Sequence, residues 1–259
     1  MSEKPIRFIN FVSHKLNMFP RFKLSADLEI RGLALYLSKK KCLIISDLHI
    51  GYEEALNKEG VLIPRFSFND IINQLKGLLT ERYKLVIING DLKHDFGEIS
   101  NQEWQETTKF LNILKQHTER ILLIKGNHDT VLEPIIKRKD IEIRESVELN
   151  GYLVLHGHKI PPDFNSKDTA IIAHEHPAVS LFDGVRVERY KCFLVGSFKK
   201  TRLIVMPSFS PLMPGNDLAT SKPLSPFLSR NNMNSFDVFI IADRIYNFGK
   251  LGELIKMHS

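Results

Sequence analysis

The chain predicts an α/β fold arranged as a four-layer sandwich, two mixed β-sheets packed together with helices outside. Three observations lead there. In the first half, short runs of aliphatic residues alternate with segments whose apolar residues recur at helical spacing, the pattern of a parallel sheet with helices on its face. From about residue 141 to 205 the helical spacing disappears and short strands follow one another between turn signals, which predicts a second sheet packed on the first. Several apolar runs end in Asp, His or Asn. A buried strand that ends so delivers the polar side chain to the sheet's carboxyl edge, where open α/β folds place their sites.

The elements follow in order. Residues 27–37 alternate weakly and read as a strand pair turned at Gly32, followed by a strand over residues 43–46. Residues 68–79 carry Ile71, Ile72, Leu75, Leu78 and Leu79 at helical spacing. A strand at 85–88 precedes a second helix at 101–117, with Trp104, Phe110, Leu111 and Leu114 on its buried side. A strand at 121–124 comes next, then a short helix around 131–137 with Pro134 in its first turn. The second half has turn signals at Asn150-Gly151, Asp183-Gly184 and Gly196. Residues 207–234 are rich in Pro, Ser and Asn and read as a long irregular loop, of the kind that is commonly functional. A strand at 236–241 is expected to close the sheet.

Hydrophobic content of 43% with 25% charged residues places the chain among globular proteins rather than disordered ones. No apolar run approaches the ~20 residues of a membrane span, so no membrane partner is expected. The first residues are basic but lack the apolar core of a secretory signal. Cys42 and Cys192 both sit in apolar runs and read as buried free thiols, which fits a cytoplasmic location. The net charge of +6 is unevenly placed, because Lys4, Arg7, Lys15, Arg21 and Lys23 are opposed only by Glu3. Residues 1–25 therefore read as a basic N-terminal arm and residues 26–259 as a single domain. The arm reads either as a solvated tail or as a phosphate-contacting one, and Met18 is an alternative start.

Five polar clusters follow five apolar runs. They are Asp47-Leu48-His49, Gly90-Asp91, Gly126-Asn127-His128-Asp129, His156-Gly157 and His174-Glu175-His176. Converging at one edge, they would make a cage of carboxylate, imidazole and amide suited to a pair of divalent metals. His156 ends its strand directly and is preferred to His158, and Glu175 points away from its two histidine neighbours on a strand.

In order and spacing these clusters resemble the signature of the calcineurin-like metallophosphoesterases: D-x-H, G-D, G-N-H-D/E, H and G-H-x-H. The phrases SDLHIGYEEAL, NGDLKHDFG and GNHD look closest to prokaryotic phosphoesterases related to DNA-repair nucleases, including those associated with DNA ligases. Pro207 to Leu212 looks similar too, and the likeness covers roughly residues 26–217. The resemblance implies that Asp47, His49 and His176 hold one metal, that Asn127, His156 and His174 hold the other, and that Asp91 bridges them. Manganese is the first expectation, with iron, zinc and nickel as alternatives. A bridging hydroxide would attack the phosphorus. His128 would contact the phosphoryl group and act as general acid, its ring oriented by Asp129 or Asp95.

Two positions depart from the pattern. Ala173 stands where the family usually has Gly, and His94 stands where Asn or Asp is common. Phosphoprotein phosphatases of this type carry Arg shortly after the Gly-Asp block, whereas this chain has Leu92-Lys93-His94, with Lys93 read as solvated. The expected activity is therefore phosphodiester hydrolysis, with nucleic acid or nucleotides as candidate substrates. A phosphomonoesterase and a non-catalytic metal-binding scaffold are the alternatives, and oligomeric state is left open.

Overall fold

A computed structural model describes residues 19–61, 66–95, 99–129, 132–164, 168–182 and 185–257. The first sheet has its strands in chain order: β1 (Arg21–Lys23), β2 (Leu28–Arg31), β3 (Ala34–Leu37), β4 (Cys42–Ile45), β5 (Leu85–Asn89), β6 (Ile121–Ile124) and β7 (Glu142–Arg144). Strands β1 to β4 form an antiparallel meander, and β4 to β7 are parallel, so the sheet is mixed. Helices α1 (Tyr52–Lys58), α2 (Ser67–Leu78), α3 (Asn101–His117) and α4 (Glu133–Arg138) supply the crossovers.

The second sheet comprises β8 (Ser146–Leu149), β9 (Tyr152–Leu155), β10 (Thr169–Ile172), β11 (Pro177–Phe182), β12 (Val187–Phe198), β13 (Thr201–Val205), β14 (Asn216–Asp217), β15 (Asp237–Ile241) and β16 (Ile245–Lys250). Its main path runs β14-β11-β12-β13-β10-β9-β8, with β15 on β12 and β16 on β15. Asn150 and Gly151 join β8 to β9 at φ of 49° and 85°, the positive values a two-residue hairpin turn demands.

Strand periodicity explains the layers. In β4, Leu43 and Ile45 pack with Ile71, Leu75, Phe110 and Leu114 of the outer helices, while Cys42 and Ile44 point the other way. The inward set meets Val154, Ile171, Phe193, Ile204 and Phe239 of the second sheet. The far face of that sheet, through Ala170, Ile172, Leu194 and Val205, is covered by Phe227, Phe236 and residues of α5 (Arg230–Met233) and α6 (Leu251–Met257). Each fully buried aliphatic side chain contributes about 1.5–3 kcal/mol, so the three apolar layers together hold the two sheet edges in register.

Several expectations are corrected. Gly196 is not a turn but lies within β12, where a Cβ would stand 2.4 Å from the Phe236 ring; the turn falls at Lys199, at φ 53°. Trp104 is half-buried beneath Arg138, and Glu103 and Thr107 take the inward positions of α3. The strand expected to close the sheet is followed by β16 and α6. Arg21 and Lys23, counted with the basic arm, lie in β1. Residues 1–18, Val131 and the Asp183-Gly184 turn lie outside the described residues.

Helix α3 opens with a reciprocal cap. Ser100 Oγ accepts from Glu103 N at 3.0 Å, and the Glu103 carboxylate accepts from Ser100 N at 3.1 Å and from Asp95 N at 3.2 Å. The cap thus ties the loop after Asp91 to the helix. Ser100→Ala is expected to cost about 1 kcal/mol of unfolding free energy in urea titration.

Candidate metal centre

The carboxyl ends of β4, β5, β6, β9 and β10 meet at one edge, and the turns after them are hydrogen-bonded to each other. Asp47 N donates to Gly90 O at 3.1 Å, His49 N to Asp91 O at 3.0 Å, and Ile50 N to Leu92 O at 3.0 Å. Ala173 N donates to His156 O at 2.9 Å, so Ala173 takes the expected glycine's place without disturbing the ladder. The two sheets are linked where His174 N donates to Asp47 Oδ2 at 3.3 Å. Gly90, at φ 82°, must lack a side chain because a Cβ would stand 2.1 Å from His156 Nδ1. Asp47, His49, Asp91, His174 and His176 all adopt left-handed backbone, with φ between 46° and 65°. Such residues are uncommon and concentrate at functional sites.

The side chains converge in two overlapping groups. Asp47, His49, Asp91 and His176 offer ligand atoms within 4.8 Å of one another, and so do Asp91, His156 and His174. His176 Nε2 lies 3.2 Å from Asp47 Oδ1, and His49 Nε2 lies 3.9 Å from Asp91 Oδ2. His156 Nε2 stands 3.3 Å from Asp91 Oδ2 and 3.2 Å from Asn127 Oδ1, while its Nδ1 faces the Asn89 carbonyl at 3.1 Å. A proton on Nδ1 shared with that carbonyl would leave Nε2, which faces the centre, to meet a metal once its own proton is lost. Asp47 Oδ1 is buried and has no hydrogen-bond partner of good geometry among the described residues. A buried carboxylate oxygen left so among imidazole nitrogens fits a cation site.

The electrostatics differ among the imidazoles: burial would lower His156, but its bond to Asp91 outweighs this and raises the ring to about 9, so a metal there would have to displace a proton. Burial pushes the His49 imidazole down to about 3, with His176 acting in the same direction, and pushes His174 down to about 4, assisted by His156. Both rings are neutral at pH 7, as ligation requires. Burial alone would raise the carboxyls of Asp47 and Asp91. The neighbouring His176 and His156, respectively, reverse that effect and hold both below the usual carboxylate range.

All seven expected ligands lie at this edge, and His128 lies over it with its Nε2 3.9 Å from Asp91 Oδ2 and its main-chain N donating to Asp91 Oδ1 at 3.0 Å. The surroundings of His128 differ from expectation. Its Nδ1 meets the main-chain carbonyl of His94. The Asp129 carboxylate accepts from the main-chain N–H of Asp91 (2.8 Å), Leu92 (3.0 Å) and Gly126 (2.9 Å), so it ties two turns together rather than aligning the ring. Asp95 raises the proton affinity of His94, though burial and His128 outweigh it and push that ring down to about 4.

His94 comes closer to the centre than its sequence position indicated. Its Nδ1 is 3.4 Å from His49 Nδ1, its ring packs on Tyr52, and it forms a third possible ligand group with His49 and His128. His158 stands behind His156 and His174, with ring centroids 5.4 and 6.1 Å from theirs. Lys93, expected in solvent, is fully buried, and its ammonium has no hydrogen-bond partner among the described residues. The reason is a pairing distant in sequence: Lys93 bridges to Ile50, which carries it beneath the surface. Burial of Lys93 had no signal in the sequence.

The family model for calcineurin-like phosphoesterases matches residues 40–240. The small subunit of DNA polymerase II from Methanocaldococcus jannaschii is 32% identical over 98 residues, which is 34% of this chain and 16% of that protein's length. The crystal structure of the Pseudomonas putida nuclease MPE superposes with a TM-score of 0.64 at 18% identity, covering 89% of this chain and 100% of the other, a likeness of fold. YfcE, a phosphoesterase from E. coli, gives a TM-score of 0.41 at 15% identity over 78% of this chain and 92% of its own. Among the described residues no helix is long and apolar enough to cross a membrane. The family match takes in every turn of the candidate centre and most of the chain, and the chain belongs to the calcineurin-like phosphoesterases.

Proposed function

We propose that this protein is a phosphodiesterase with a dinuclear metal centre, acting on nucleic acid or nucleotides. The observation that carries the reading is the pair of ligand groups sharing Asp91, since one ion would use only one of them. Asp47, His49 and His176 would hold one ion, and Asn127, His156 and His174 the other. The mixture of imidazole, carboxylate and amide suits manganese, with iron, zinc or nickel as substitutes. Such a metal pair, when bound, provides a nucleophile at neutral pH and offsets the charge of the phosphoryl oxygens.

The chain's own residues supply the rest. His128 meets the His94 carbonyl through Nδ1 and stands over Asp91 with Nε2 3.9 Å from its Oδ2, a position from which the ring would protonate the leaving oxygen. Its side chain is 14% exposed, the only partial exposure a proton donor at the mouth of the site needs. Lys93, a buried ammonium two residues after Asp91 with no hydrogen-bond partner among the described residues, supports a site that receives an anion. The nuclease and polymerase-subunit names of the two relatives support nucleic acid as the substrate class. The two buried free cysteines support a cytoplasmic location.

The test is a substrate panel on manganese-loaded protein: bis-p-nitrophenyl phosphate, p-nitrophenyl phosphate, single- and double-stranded DNA, and RNA. With no arginine in the loop after Asp91, a dianionic monoester gains less from the site, so diesters are expected to have the higher kcat/KM. A tenfold preference for the monoester, ~1.4 kcal/mol, would establish the phosphatase reading instead. Metal analysis should approach two ions per chain. Two bound ions with no turnover on any substrate would leave the scaffold reading.

A further inference from the structure

The stretch between β13 and α5 is irregular, yet it is fastened along the backs of the ligand-bearing turns. Phe209 N donates to Ser46 O at 2.9 Å, and Ser46 Oγ donates to Pro207 O at 3.1 Å. Ser208 Oγ donates to Asp47 O at 2.8 Å, and Ser210 N donates to the same carbonyl at 3.3 Å. Further on, Asn216 N donates to His176 O at 2.7 Å, and Ser225 Oγ donates to the carbonyl of Gly157, beside His156, at 2.7 Å. One length of chain therefore grips turns from both sheets.

Two ionisable side chains anchor it. Lys191 of β12 donates its ammonium to the carbonyls of Ser208, at 2.8 Å, and of Ser210. Glu175, fully buried between His174 and His176, accepts from Asn216 Nδ2 (2.7 Å), Leu224 N (2.8 Å) and Ser225 N (2.8 Å). Burial pushes the Lys191 ammonium down to about 7, although Asp47 draws it up. Keeping these groups charged costs free energy that apolar side chains of similar size would not. Their retention is explained by what they hold in place.

We propose that residues 207–225 are a brace that positions the metal ligands, with Lys191 and Glu175 as its anchors. Lys191 sets the Asp47 turn through Ser208 and Ser210, and Glu175 sets the His174–His176 turn through Asn216, Leu224 and Ser225. Both are positioning residues acting through other groups. The need for a brace follows from the backbone: Asp47, His174 and His176 sit at φ 50°, 65° and 49°. Such conformations persist only where the surroundings over-determine them. The proposal rests on the reading that these three residues hold metal.

The experiment uses the full chain as wild type, Lys191→Met, Lys191→Arg and Ser208→Ala. Mn²⁺ affinity is measured by equilibrium dialysis, the exchange-coupled Mn²⁺ pair by EPR at sub-saturating metal, and the melting temperature on metal-free protein. Lys191→Met is expected to weaken Mn²⁺ binding by roughly 10–100-fold, the range seen when groups that orient ligands are removed, and to lose the coupled signal. Lys191→Arg, still able to donate to both carbonyls, is expected to restore most of the affinity. Ser208→Ala should weaken binding in the same direction, and it decides the matter if Lys191→Met does not fold. Wild-type affinity in Lys191→Met, or in Ser208→Ala where that variant decides, overturns the brace while leaving the metal centre intact. A wild-type protein that binds no Mn²⁺ overturns the metal reading and the brace with it.

Discussion

Asp91→Asn is expected to lose both bound metal and nearly all hydrolysis. Asp91 is the residue common to the two ligand groups, and it is 1% exposed. Its Oδ2 stands 3.3 Å from His156 Nε2 and 3.9 Å from both His49 Nε2 and His128 Nε2, and its Oδ1 receives the His128 amide. Asparagine keeps the shape but removes the charge that would offset the proposed ion pair. Removing one partner from a buried charged cluster costs about 3–5 kcal/mol, roughly 10²–10⁴-fold in kcat/KM if the loss falls on the transition state. Metal analysis and turnover of a chromogenic diester should fall together. A variant with two ions and activity within tenfold of wild type would remove Asp91 from the bridging role.

His128→Ala separates binding from chemistry. The ring is expected to contribute as a general acid, so kcat should drop by roughly 10²–10⁴-fold with metal content unchanged. The competing outcome is specific, because His128 also belongs to a possible ligand group with His49 and His94. If the alanine variant empties the site, His128 is a ligand and the proton donor must be sought elsewhere.

The strand ends were legible because each signal is local. An aliphatic run followed by Asp, His or Asn places that residue at the edge whatever the rest of the chain does, and β4, β5, β6, β9 and β10 all follow this rule. The order of the clusters added the pairing of turns that no single strand reveals. What escaped depends on contacts distant in sequence. Gly196 reads as a turn because nothing nearby shows that the Phe236 ring will lie against its backbone. Lys93 reads as solvated because its bridge partner, Ile50, is far along the chain. The His94 carbonyl beside His128 could not be read from side-chain types at all, since every residue has a carbonyl. The stretch over 207–234 reads as irregular throughout, but it carries β14 and α5, and its attachments to Ser46, Gly157 and His176 left no sign in the sequence.

The left-handed backbone at five of the candidate ligand positions also limits the residue types those positions can accept. At such φ values Asp and His are tolerated better than most residues, and β-branched side chains are strongly disfavoured. A drift toward a thiolate-rich or glutamate-rich ion site would have to satisfy the backbone before the chemistry, so the ligand vocabulary here is constrained twice. The same turns are held by main-chain bonds that do not involve an ion, such as Asp47 to Gly90 and His49 to Asp91. The candidate ligand atoms are therefore positioned by a main-chain frame, which would fix the dimensions of an ion site. Ions should exchange through it without refolding of the chain. The identity of the ion in use then follows from how well its bond lengths suit a fixed frame and from which ions are available.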